Sequence, residues 1–277
     1  MASRDWSRLR FRVRAILSGM PGVDLSSTLE RVARELGQAR RVLFVTGAGL
    51  SADSGLPTYR GVGGLYEGMA TAEGMSIESV LSGSMFQRRP ELTWKYLRQV
   101  EQACRAATCN SGHRMMARLE RRLEKVVVLT QNVDGFHRAA GSTHVIDIHG
   151  DLRDLACSSC SRTRRVNSYA GLPPLPRCPC GGVERPQVVL FGESLPEAKM
   201  AALLAELSQG FDLVISVGTS GVFPYIRLPM IRAKVYDWPT VDINPTRNPM
   251  TEYARYHLPL RAAEACDALW ERLDRRN

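Results

Sequence analysis

The chain has 277 residues, 44% of them hydrophobic and 23% charged, and a formal charge of +9. It is long enough to bury a full core, and it has no run of about 18 apolar residues, which argues against a membrane span. The charge is almost all arginine, with lysine only at Lys95, Lys125, Lys199 and Lys234. Such a surface suits anionic partners (nucleotides, nucleic acid or acidic proteins), or it is simply solvated arginine.

Residues 1–24 read as a basic amino-terminal arm, with Arg4, Arg8, Arg10, Arg12 and Arg14 against the single acid Asp5. Its charge resembles a mitochondrial transit peptide and equally suits a short leading helix on a cytoplasmic protein. Residues Leu25 to Gln38 alternate apolar and charged positions at helical spacing, with Ser26 or Ser27 as the expected cap. Four β-branched runs follow: Val42–Thr46, Val126–Thr130, Leu213–Val217 and Val241–Ile243, with Val145–Ile148 as a candidate fifth. Fully apolar strands alternating with helices predict an α/β fold, a doubly wound, Rossmann-like parallel sheet covered on both faces. Ligands of such sheets sit at the carboxyl ends of the strands, here the turns 47–61, 131–135, 218–221 and 244–246. Two stretches do not fit the sheet: a helical one over 66–123 and a Cys-, Pro-, Gly- and Arg-rich one over 152–186. Both read as insertions that together form a smaller lobe of one domain spanning 25–277.

The turn after the first run, Gly47-Ala48-Gly49-Leu50-Ser51-Ala52, matches the glycine fingerprint of dinucleotide binding, in which backbone N–H groups meet a pyrophosphate at a helix start. A dehydrogenase would continue as a helix to a second strand with an acidic residue about 20 positions on. Here Gly55, Pro57, Gly61, Gly63 and Gly64 end any such helix early, so the phosphate turn runs on into a long polar loop. Cys157-x-x-Cys160 and Cys178-x-Cys180 form a four-thiolate zinc pattern with the second pair closer than usual. Four sulfurs leave no open position for water, so the metal is structural, and Arg164, Arg165 and Arg177 stand near enough in sequence to balance its charge. Seven cysteines in such an arrangement fit a reducing compartment, the cytoplasm, better than a disulfide frame. Gln131, Asn132 and Asp134 put two amides and a carboxylate at a strand end, suited to paired hydrogen bonds. His149 follows another strand and precedes a glycine, the best-placed of the five histidines for a base. Phe191-Gly192-Glu193 closes the run Val188-Val189-Leu190 and looks like an exposed edge able to pair with an extended peptide.

In this order the Gly47–Arg60 loop, Gln131–Asp134, Ile148-His149-Gly150, the cysteine pairs, Phe191-Gly192-Glu193, Gly218-Thr219-Ser220 and Asp242-Ile243-Asn244-Pro245 resemble a sirtuin of prokaryotic type. The resemblance covers the chain from about Leu36 onward and implies an NAD-dependent protein-lysine deacylase acting on acylated proteins or peptides. It implies that Gly47, Ala48, Gly49, Ser51, Asp53, Ser54, Thr58, Tyr59 and Arg60 hold or cover NAD. Gln131, Asn132 and Asp134 would serve its nicotinamide ribose and carboxamide, Gly218, Thr219, Ser220 and Asn244 its phosphate and riboses, and Ala262 its adenine. Asn132, Asp134 and His149 would be the catalytic group. The acyl oxygen would displace nicotinamide, His149 would deprotonate a ribose hydroxyl, and an O-acyl-ADP-ribose would result. A neutral imidazole is needed, so activity should fall below about pH 6.5.

Acyl-lysine peptide would lie along Val189, Phe191, Gly192 and Glu193. Desuccinylating sirtuins carry a tyrosine and an arginine three apart on the helix before Asn110-Ser111-Gly112-His113; those positions here are Leu97 and Val100. An apolar pair cannot neutralise an acyl carboxylate, so the expected activity is deacetylation extending to longer apolar acyl groups. The alternative at this stage is a protein mono-ADP-ribosyltransferase using the same NAD site. A zinc-bearing basic binding module without turnover is the reading from another class.

Overall fold

The computed structural model describes residues 24–57 and 71–275. Thr58, Tyr59 and Arg60 of the cofactor loop, and the basic arm apart from Asp24, lie outside the described residues.

The apolar runs form β1 (Arg41–Thr46), β2 (Lys125–Thr130), β7 (Leu213–Val217) and β8 (Thr240–Ile243). They are buried almost throughout, as strands covered on both faces must be. The candidate fifth strand is β3 (Val145–Asp147), and a sixth, β9 (Tyr256–Leu258), closes the far edge. The sheet order is β3-β2-β1-β7-β8-β9, with every pair parallel. The chain winds away from β1 in both directions, so the crevice where ligands enter such sheets opens between the ends of β1 and its neighbours.

Alternate residues of β1 serve opposite cores. Val42 and Phe44 pack with α1 (Leu25–Gln38), α6 (Ser111–Leu119) and α10 (Ala262–Asp274). Leu43 and Val45 pack with α8 (Glu197–Gln209) and α9 (Pro224–Val235). The cap of α1 is Asp24, not Ser26 or Ser27: its two carboxylate oxygens accept the N–H groups of Ser26 and Ser27 at 3.1 and 3.2 Å. Both serines already lie inside the first turn, where their amides need an acceptor rather than supply one.

The smaller lobe joins two segments far apart in sequence. Helices α3 (Ile77–Val80), α4 (Gly83–Arg88) and α5 (Pro90–Ala106) pack on an antiparallel sheet of β4 (Gly150–Cys157), β5 (Thr163–Arg165) and β6 (Glu184–Val188), ordered β5-β4-β6. Helix α6 lies within the 66–123 stretch but belongs to the large sheet, because Met115, Met116 and Leu119 bury against β1, β2 and α10. No helix among the described residues is long and apolar enough to cross a membrane.

Trp94 of α5 fastens the two segments of the lobe. It is fully buried, meets Tyr169 edge-on at 5.3 Å, and donates its indole N–H to the Glu184 carbonyl at 2.8 Å. Replacing it with alanine opens a large cavity and orphans that carbonyl, so Trp94→Ala should lower unfolding free energy by about 3–5 kcal/mol. Urea denaturation measures this, and a midpoint equal to that of the parent chain would contradict it.

Candidate active site

The turn after β1 enters α2 (Ala48–Ala52), a helix of 5 residues, and α2 ends just before Gly55 and Pro57. The glycines here first serve backbone packing. The Gly49 N–H donates to the Gly218 carbonyl at 2.8 Å, and a Cβ on Gly49 would lie 2.7 Å from the Gly218 Cα and oxygen. Only a chain without side chains at these points lets the ends of β1 and β7 close on each other. Asp53 faces the other way. Its carboxylate accepts from the Arg261 guanidinium at 2.7 Å and from the Ala263 N–H at 2.8 Å, tying the root of the loop to the start of α10, where Ala262 is buried. The Ser54 hydroxyl accepts from the Asn110 amide at 3.1 Å.

The polar groups after β2 are joined to this turn. The Asn132 side-chain N–H₂ donates to the Gly47 carbonyl at 3.0 Å and the Ser51 hydroxyl at 2.9 Å. Ser51 in turn donates to Asp134 at 2.6 Å, and the Phe136 N–H, at the start of α7 (Phe136–Ala139), caps the other Asp134 oxygen at 2.8 Å. Burial pushes the Asp134 carboxyl up while these two donors favour its charged form. The Gln131 side chain donates to the Thr219 hydroxyl at 2.8 Å, and Asn244 donates to the Thr219 carbonyl at 3.2 Å. Ser220 is exposed beside them.

His149 stands between β3 and β4. Its Nδ1 lies 3.0 Å from the Gln131 carbonyl and its Nε2 2.7 Å from the Tyr225 hydroxyl. A carbonyl only accepts, so Nδ1 carries the proton and Nε2 keeps its lone pair. Burial lowers the imidazole's proton affinity, opposed by the Gln131 bond and assisted by the charge of Lys199. Gly150 must follow it without a side chain: at φ 93° its Cβ would fall 1.8 Å from the Gln187 carbonyl oxygen.

A cavity of about 120 Å³ opens between this polar set and the small lobe. Ala48, Ser51, Asn132 and Asp134 line it on the sheet side; Leu56, Pro57, Ile77, Tyr96, Val100, Ala103 and Cys104 supply an apolar wall. Among the described residues, no lysine or arginine lines it. Val100 faces this cavity, whereas Leu97 is buried in the lobe core. Tyr96 lines it as well, its hydroxyl held by the Glu73 carboxylate and the Ala72 N–H. Arg98 turns to the Tyr169 and Leu172 carbonyls on the other side of α5.

The cysteine pairs converge at the end of the β4–β6 sheet. All four sulfurs lie within 4.8 Å of one another, with Cys157–Cys180 at 3.5 Å and Cys160–Cys178 at 3.6 Å. Zn–S bonds of about 2.3 Å in a tetrahedron put sulfurs roughly 3.8 Å apart, so the donor set fits zinc with no position left for water. Arg165 does not serve the thiolates. It pairs with Asp151 and Asp154, while Arg164 pairs with Glu184 and still feels the charge of Cys178. Arg177 donates to the Gly181 carbonyl at 2.9 Å, bracing the loop that holds Cys178 and Cys180.

The model of the Sir2 family matches residues 47–224. The chain belongs to the Sir2 family. One relative, the NAD-dependent protein deacylase 2 of Pseudomonas aeruginosa, is 49% identical over 236 residues, 83% of this chain and 91% of its own. The solved structure of a Sir2 homologue variant with ADP-ribose superposes with a TM-score of 0.82 at 34% identity, covering 89% of this chain and 97% of that one. A Sir2 structure titled with a p53 peptide and NAD+ superposes at 0.75 with 27% identity, covering 88% and 97%.

Within this Sir2 frame the Phe191 edge is partly closed. The Phe191 N–H donates to the Leu81 carbonyl and its carbonyl accepts from Gly83, both at 3.0 Å, so a segment 110 residues upstream (191 − 81) already occupies those groups. Glu193 is turned back onto Arg185 and the Leu190 N–H. The Val189 N–H donates to the His149 carbonyl at 2.9 Å and so secures the histidine's own backbone. Cys104 and Tyr225 escape sequence reading, since nothing in their spacing points at the cleft, while Tyr96 stands at a spacing that predicts another face of α5 and lines the cavity nonetheless. For the zinc centre, Cys178→Ser should lower bound zinc from about one per chain towards none, measured by metal analysis of the purified protein. Full retention of zinc by that variant would contradict the four-thiolate assignment.

Proposed function

We infer that this chain is an NAD-dependent protein-lysine deacylase with His149 as its general base, yielding nicotinamide and O-acyl-ADP-ribose. The observation that carries the reading is the state of His149: proton fixed on Nδ1, lone pair on Nε2, beside a polar set at the ends of β1, β2 and β7. That set fits the dinucleotide. The Gly49–Gly218 contact draws the ends of β1 and β7 together, and the polar side chains of Ser51, Asn132, Asp134 and Gln131 converge beside it, a donor and acceptor set suited to ribose and carboxamide. NAD, when bound, supplies the ribose carbon that takes the acyl oxygen and the hydroxyl that takes the acyl group.

The chain's residues do the rest. Asn132 and Ser51 hold the Asp134 carboxylate in place to receive hydroxyl or amide hydrogens, and the apolar wall keeps water from the reacting centre. His149 accepts a proton at Nε2. Its burial keeps it neutral to more acid conditions than a free imidazole, so the acid limb of kcat/KM should lie below about pH 6.5. The pH–rate profile tests the sign, and a limb above that value would contradict it. His149→Ala should cost roughly 10²–10⁴ in turnover while the chain still binds NAD.

On this reading the acyl group lies against Val100, Ala103, Ile77 and Leu56, with Asp134 at its inner end and no cation in the wall among the described residues. A succinyl carboxylate would be buried unpaired there, at a cost of several kcal/mol. Acetyl and longer apolar acyl peptides should therefore be processed at least about 100-fold more efficiently than succinyl peptide in single turnovers. Mass spectrometry of the NAD-derived products across that panel decides, and efficient desuccinylation would sink the assignment. Radiolabel passing from NAD to protein with the acyl group intact would replace deacylation by ADP-ribosyl transfer. A reducing compartment such as the cytoplasm suits a chain whose thiols are unpaired.

A further inference from the structure

The lone pair of the His149 Nε2 lies in the ring plane and has room for one partner. In this structure that partner is the Tyr225 hydroxyl, at 2.7 Å. A ribose hydroxyl can reach the base only by displacing this phenol or through it. Several contacts hold the phenol where it is. Its ring stacks on Phe223 at 5.5 Å and 16°, and both rings meet the imidazole edge-on, at 5.9 Å for Tyr225 and 6.2 Å for Phe223. Pro224 lies between them at the first turn of α9, where its fixed φ stiffens the backbone that carries both rings. Swinging the tyrosine out would break the stack, the edge-on contact and the hydrogen bond together.

We propose that Tyr225 relays the proton between the ribose hydroxyl and His149. The inference rests on His149 being the base. The ribose O–H bond breaks and its proton goes to the Tyr225 oxygen. The phenol O–H bond breaks in the same event and its proton goes to Nε2. Tyr225 ends as it began, a neutral phenol, and His149 becomes an imidazolium. As the freed ribose oxygen bonds to the acyl carbon, that carbon's π bond to the lysine nitrogen breaks; the C–N bond breaks next, the amine leaves with the imidazolium's proton, and water supplies the second oxygen of the ester.

Two features of the environment suit this task. Burial pushes the phenol up to about 12, so it stays protonated at working pH and has an acidity near that of a sugar hydroxyl. Exchange of a proton between two oxygens of similar acidity costs little. Lys199 of α8 acts on the imidazole through its charge, its ammonium held by the carboxylate and carbonyl of Asp147, at 2.8 and 2.7 Å. It repels the imidazolium and favours prompt return of the proton.

Tyr225→Phe keeps the stack and removes only the hydroxyl. Nicotinamide exchange into NAD, which precedes the proton transfer, should stay within about 2-fold of the parent, while deacylation should slow roughly 100-fold. In mixtures of H₂O and D₂O the parent's single-turnover rate should bow, as for two protons in flight, and the variant's should be linear. Nitrogen-15 NMR of the ligand-free protein gives a readout apart from turnover. His149 should remain the neutral Nδ1–H tautomer in both forms, with the Nε2 resonance moved in the variant by loss of its donor. Deacylation by Tyr225→Phe within about 3-fold of the parent, or a linear dependence in the parent, would overturn the relay. Slow His149→Ala beside fast Tyr225→Phe would remove the relay alone. Full turnover by His149→Ala would remove the base and the relay with it.

Discussion

Gln131 ties together the parts that must stay in register. Its N–H donates to the Thr46 carbonyl at the end of β1, and its side chain reaches Thr219 after β7. Its carbonyl fixes the proton of His149. One residue at the end of β2 thus sets the distance between two neighbouring strand ends and the tautomer of the base. The glycine contact between Gly49 and Gly218 works in the same direction, by letting those ends approach closely enough for the side chain to span them. Position and proton are set by the same few bonds, none of which depends on a mobile surface group.

Around this knot the polar groups form chains rather than isolated pairs. Asn132 bonds Ser51, Ser51 bonds Asp134, and Asp134 takes an amide of the next helix. On the far side Asp242 receives Ser216, Asn248 and Thr251, which holds the loop beyond Asn244 in place. Burial raises the proton affinity of both carboxylates, and in each case the donors counter it. Buried carboxylates of this kind keep a site rigid because any rearrangement leaves a donor or an acceptor unpaired.

Much of the fold was legible because its signal is local. Val42–Thr46, Val126–Thr130 and Leu213–Val217 read as buried strands from composition alone, and each became one. The edge strand Tyr256–Leu258 gave no such signal, since only Leu258 is buried. The period of α6 showed a helix but not which of two cores its apolar face would join. The site divides in the same way. His149, Asn132 and Asp134 stand at strand ends that the sequence marks, whereas Tyr225 meets His149 across 76 residues and reaches it from a helix start. Phe191 likewise looked like a free edge because its partner segment, 81–83, carries no pairing pattern of its own.

The residue after the base, Gly150, opens the first strand of the small-lobe sheet, where it pairs with Val188, and the Val189 N–H holds the His149 carbonyl. The histidine therefore sits on the seam, its ring anchored to the large sheet and its backbone to the zinc-bearing one. The chain crosses between the lobes at this residue, so its position depends on both sheets. The direction of the imidazole is therefore set jointly by the two sheets, and a disturbance of the zinc-bearing one reaches the base through its own backbone.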